Sequence, residues 1–168
     1  MVMLATFGLA AGRTKVGKLA VFLLLFGVWD IFYYIWLVVF LNWPPSLFTW
    51  DVLFLIPIPW VGPVIAPVSV AGTMIAMALV MLHLEARGNV LAAGKIVWLA
   101  QVGAVLIILA SFTIDIIPLL DADGKRLAQW VPTSYRWELL LIGLVLAIAS
   151  FGHWAYRVQQ AQGGELHP

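Results

Sequence analysis

Asp30 is the residue whose type and position most demand a chemical explanation. It stands twelve residues after Lys18 in a run of Leu, Phe, Val and Trp that holds no Lys or Arg. At ~1.5 Å per helical residue, that places it ~18 Å into a bilayer, near the midplane. Insertion scales put an Asp there at about 2.5–3.5 kcal/mol unfavourable, so something must offset it. Protonation, contact with water or contact with a cation would each do so. Helical spacing offers neighbours. Tyr33 and Tyr34 lie one turn further along, and Thr73 on the second apolar run reaches a similar depth. The expectation is an Asp30–Tyr34–Thr73 polar cluster. It would either handle a proton or ligand or serve as a neutral hydrogen-bonded packing contact.

Other polar residues form stripes. Gln101, Ala104, Ser111 and Asp115 share a helical face on the third run. Ser69, Gly72, Thr73 and Ala76 do so on the second, and Gly143, Ala147 and Ser150 on the fourth. Small residues let helix backbones approach and hydroxyls bond across, so packing is the first expectation. The second is a narrow polar cavity open to the outside, lined by Asp115, Ser111, Tyr34 and Ser69. His83 and His153 fall near the same ends of their helices, with Glu85 close by in sequence. They are candidates for a b-type haem, a metal or a quinone site. No HExxH motif and no His pair four apart accompanies them.

The chain has no cysteine, which removes thiolate nucleophiles and Cys-based metal sites. It has no GxSxG, no phosphate-binding Gly loop and no paired carboxylates within an apolar run. The Asp-x-Asp of LDADGKRL lacks the spacing of a calcium loop and reads as a solvated turn. Net charge is +1, with no basic patch, so nucleic acid is not an expected partner.

These residues need elements to hold them. The chain is 64% hydrophobic and 10% charged, with a mean hydropathy of +1.04. A soluble domain is roughly a quarter charged, so the excess apolar surface must face lipid or apolar partners. Four long apolar runs, residues 19–41, 61–84, 96–119 and 137–156, each suit one helical crossing. The expected fold is an all-α integral membrane protein, a single domain built as a four-helix transmembrane bundle. The first run follows Arg13, Lys15 and Lys18 and is too long for a signal h-region, so it reads as a retained helix. Arg13, Lys15, Lys18, Arg87, Lys95 and Arg157 fall on one side, against Lys125, Arg126 and Arg136 on the other. That bias places both termini in the cytoplasm of a bacterial-type plasma membrane. The first dozen residues are expected to lie on the inner surface, and the tail, 158–168, is expected to be disordered.

Residues 42–60, NWPPSLFTWDVLFLIPIPW, break the pattern. Pro57 and Pro59 would interrupt any helix running into the second crossing. Thr49 reads as the N-cap of a short interfacial or re-entrant helix. The Trp43-Pro44-Pro45 string resembles the tryptophan-rich sensory protein family. That family has five spans, and no residue or role carries over. The leading functional expectation is a non-catalytic accessory subunit of a larger membrane complex, with a bioenergetic complex or a homo-oligomer as the candidate assemblies. The alternatives are a small transporter or ligand-handling protein built on Asp30, and a haem- or quinone-binding subunit built on His83 and His153.

Overall fold

The computed structural model describes residues 2–12, 14–54, 58–88, 92–120 and 130–163, apart from the side chains of 2, 4, 5 and 161–163. Arg13, the Asp-x-Asp turn with Lys125 and Arg126, and residues 164–168 with His167 lie outside the described residues. The elements are α1 (Val2–Ala11), α2 (Lys15–Leu41), strands β1 (Trp50–Phe54) and β2 (Trp60–Pro63), α3 (Ile65–Ala86), α4 (Lys95–Thr113), a 3-10 turn (Ile117–Leu119) and α5 (Trp137–Gly163). Four of these, α2 to α5, are long and apolar enough to cross a membrane.

Local chemistry sets the boundaries. Thr14 caps α2, its side chain accepting from Gly17 N. Asn42 ends the helix in the left-handed region at φ 51°, a conformation Asn tolerates, and Pro44 and Pro45 follow. α3 starts at Ile65, later than the expected 61, because residues 60–63 are committed to β2. Pro67 is tolerated in its first turn. α4 stops at Thr113 instead of running to 119, because Pro118 cannot donate to the Ile114 carbonyl and its ring would crowd it. α5 starts at Trp137, with the Arg136 carbonyl accepting from Leu140 N. It runs on to Gly163, so residues 158–163 are helical where a disordered tail was expected.

The segment between α2 and α3 differs most from expectation. It is a short antiparallel hairpin, not a helix, and the fold is therefore not purely helical. Asp51 pairs with Gly62, Val52 with Val61 and Phe54 with Trp60, with a bulge between Val52 and Phe54. Thr49 Oγ1 accepts from Ser46 N inside the preceding turn, so it caps no helix. Backbone bonds from Val64 N to Thr49 O and from Ile65 N to Leu47 O fasten the hairpin to the start of α3.

Helices α2 to α5 run up and down, so the start of α2 and the C-terminal part of α5 lie at one end of the bundle. At that terminal end, Ala20, Met81, Leu84, Trp154 and Ala155 form a buried cluster. Trp154 Nε1 donates to Ala92 O there, at 3.0 Å. The Glu85 carboxylate accepts from Thr14 N at 3.0 Å, joining the end of α3 to the start of α2. α1 folds back on α2, with Gly8 against the Lys18 carbonyl and Phe22. At the hairpin end, Ala66, Phe112, Tyr135 and Leu140 form a second cluster, against which Trp50, Leu53 and Trp60 pack. Gly62 makes that contact achievable, since a Cβ would sit 2.9 Å from the Phe112 ring.

Tyr135 carries a pH dependence. Tyr135 OH and Ser111 Oγ share a hydrogen bond of 2.8 Å, and the Ser111 hydroxyl also lies 2.6 Å from Ile108 O. Burial pushes the phenol up to about 12 from an ordinary 10. The unfolded chain therefore ionises first as pH rises. The stabilisation is whole below pH 10 and is lost between about pH 10 and 12, on the order of 2 kcal/mol. Alkaline unfolding of the wild type should be steeper in this window than that of Tyr135→Phe.

Candidate functional site

Two tight helix pairs frame the interior. α2 packs on α3 at Gly27, where an added Cβ would lie 2.8 Å from the Ala71 carbonyl and 2.8 Å from Ile75 Cγ1. α4 packs on α5 at Gly143, where a Cβ would lie 2.6 Å from Ile108 Cγ1. The α4–α5 seam is also tied by Gln101 Nε2, which donates to Ala147 O and Ser150 Oγ, each at 2.9 Å. α3 touches α5 and joins the pairs, but α2 and α4 form no packed seam. The bundle is therefore closed at its two ends by the apolar clusters and hollow between them.

The hollow is a cleft of about 560 Å³. Leu23 and Phe26 wall it from α2, Met74 and Met77 from α3, and Val105 and Leu109 from α4. The hairpin roofs it with Leu53, Phe54 and Trp60. Its lining is almost wholly hydrocarbon and aromatic. Asp30 is the one ionisable side chain in it among the described residues. The carboxyl is half-buried and, among the described residues, has no hydrogen-bond or ion-pair partner.

The other sequence candidates are arranged differently from the expected cluster. Thr73 lines the cleft with Asp30, but its hydroxyl donates back to Ser69 O at 2.9 Å. Tyr34 is 5% exposed and donates to Asp51 Oδ2 of β1 at 2.9 Å, not to Asp30. Tyr33 points outward, 44% exposed, and stacks on Trp29. Ser111 is buried against Tyr135, and Asp115 forms a forked pair with Arg136 whose shortest contact is 2.6 Å. Ser69 donates back to Ala66 O. Tyr34, Ser69, Ser111 and Asp115 thus each have separate partners and do not line one polar cavity.

The chain matches no protein-family model, no curated protein and no solved structure. What the site can do therefore follows from its own chemistry.

His83 and His153 are both exposed, and neither lines the cleft. No group of three or more His, Asp or Glu side chains converges among the described residues. Sequence reasoning misses Asp51, which accepts from Tyr34 OH with one oxygen and from Val52 N with the other. Its signal is modest: an acid in a Trp- and Pro-rich stretch that reads as helix. Through Tyr34, Asp51 pins the hairpin over the cleft, one helical turn beyond Asp30. Tyr34→Phe removes that donor. A hydrogen bond to a charged group contributes roughly 1.5–3 kcal/mol. Amide exchange at residues 50–54 and 60–63 should quicken by about tenfold or more, while the helices stay protected.

Proposed function

We propose that this chain is an integral membrane protein that binds a lipophilic molecule taken sideways from the bilayer. The cleft between α2 and α4 receives the apolar body, and Asp30 fixes the polar end. The observation carrying this reading is the Asp30 carboxyl, without a partner among the described residues, in an almost wholly apolar cavity. A carboxyl held that way is unfavourable for folding and becomes favourable once a ligand supplies its partner. A large apolar pocket with one convergent polar group is the usual form of a small-molecule site. In the same reading, the end bearing Lys15, Lys18, Arg87, Lys95 and Arg157 is cytoplasmic, in a plasma membrane of bacterial type, and the hairpin lies at the outer interface. Such an arrangement suits a small carrier or a ligand-sensing protein.

The test is thermal unfolding in phosphatidylcholine nanodiscs with decanol or decyltrimethylammonium, two chains of equal length with different heads. At least one should raise Tm saturably, as a ligand of the folded state must, by about 2.7 kcal/mol of stability at a hundredfold excess over Kd. The shift should persist in Leu79→Trp, on an exposed face outside the cleft, and vanish in Met74→Trp, which fills it. No shift with either probe, or one untouched by Met74→Trp, contradicts the reading.

A second reading, that of a non-catalytic subunit in a larger membrane assembly, draws on the same open side. The gap between α2 and α4 opens between the two end clusters and would accept an apolar helix of another chain. Asp30, unpaired among the described residues, favours a ligand with a polar end over such a helix.

A further inference from the structure

The cleft's shape calls for an apolar body, and the charges around it specify the head. We infer that the ligand is an organic cation, a protonated or quaternary amine on an apolar body. Its charge sits between the Asp30 carboxylate and the aromatic rings of the cleft. The inference rests on the ligand-binding reading above and deepens it.

Two independent features converge. The first is charge balance. Among the described residues, Lys15, Lys18, Arg87, Lys95 and Arg157 gather at the terminal end, and Arg136 is held by Asp115. Asp30 lies one helical turn before Tyr34, whose hydroxyl donates to Asp51 on the hairpin, and neither acid is ion-paired among the described residues. The two acids act on each other electrostatically, and no described base faces them. A neutral head group would leave this negative potential unmatched.

The second is the ring set. Phe26 lies one turn before Asp30, and the hairpin adds Phe54 and Trp60, packed edge to face with centroids 5.0 Å apart. Phe112 lines the same cleft. Ring faces attract an ammonium electrostatically, and more strongly once it is desolvated. The lining also discriminates against inorganic cations. Calcium- and magnesium-type sites need about six or more oxygen ligands. The cleft's side chains offer oxygen only from Asp30, Thr73 and Gln101, and the Gln101 amide is clamped to α5. An alkylammonium needs one carboxylate and several rings, which is what these walls supply.

Equilibrium dialysis of radiolabelled decyltrimethylammonium against the protein in phosphatidylcholine nanodiscs, with empty discs subtracted, tests this. The wild type should bind saturably at one site. Asp30→Asn should weaken binding at least tenfold, Asp30→Glu should stay within a few-fold of wild type, and excess decanol should displace little of the label. Circular dichroism of each variant checks that the helices are retained. Binding unchanged in Asp30→Asn, or displaced equally well by decanol, overturns the cation assignment. The lipophile reading survives that result if Met74→Trp still abolishes binding. Absence of saturable binding by both probes overturns both.

Discussion

Replacing Asp30 with leucine should make the protein more stable, by about 3 kcal/mol, and under the proposed function should abolish ligand binding. The sign follows from the surroundings. The carboxyl faces hydrocarbon without a partner among the described residues, and insertion scales separate Asp from Leu at mid-bilayer by roughly 3–4 kcal/mol. A residue whose removal stabilises the fold is retained for another reason, and sites of function are where such residues collect. Had Asp30 been a structural hydrogen-bond hub, its loss would destabilise instead, because its partners would be left unsatisfied. Unfolding in mixed micelles by denaturing detergent reads the difference directly. A lower unfolding midpoint for Asp30→Leu would show that the carboxyl supports the bundle.

A comparably large effect falls on the seam that holds the cleft open. Gly27→Ala puts a Cβ against the Ala71 carbonyl, a backbone atom that cannot rotate away. Overpacking of this kind costs about 1–3 kcal/mol, and Gly27→Leu should exceed it. Gly72 sits on the neighbouring helix, where an added Cβ would meet nothing within 4 Å. Gly72→Ala should therefore be neutral or stabilising by up to about 1 kcal/mol, through helix propensity alone. Equal losses at the two glycines, measured by the same detergent unfolding, would mean that close α2–α3 approach is not what sets the bundle geometry.

The parts of this fold that the sequence declares are those with local causes. Each crossing is an uninterrupted apolar run, and its ends carry readable signals in Thr14, Asn42 and the prolines. Asp30 can be singled out because a lone acid in such a run has a large energetic penalty wherever the helix turns. The hairpin is not legible. Residues 50–54 and 60–63 are short apolar stretches whose strand character depends on pairing with each other across Pro57 and Pro59, and short apolar runs are ambiguous between strand and helix. The partner of Tyr34 is hidden for the same reason. Spacing sets the face of Tyr34, but the acid it meets arrives on the hairpin, 17 residues away. The cleft is also illegible, because it is the lack of a packed seam between α2 and α4. It arises from Gly27 and Gly143 pulling each helix toward a different neighbour, a property of the assembled bundle.

Native mass spectrometry of the wild-type protein, released from its own membrane in mild detergent, puts the cleft's occupant to the test without a surrogate ligand. The expected spectrum is that of a chain carrying a small lipophilic molecule in near-equal stoichiometry, with that added mass missing from Met74→Trp and reduced in Asp30→Asn. A bare chain, or one that appears only in complex with other polypeptides and carries no small molecule, would contradict lipophile binding.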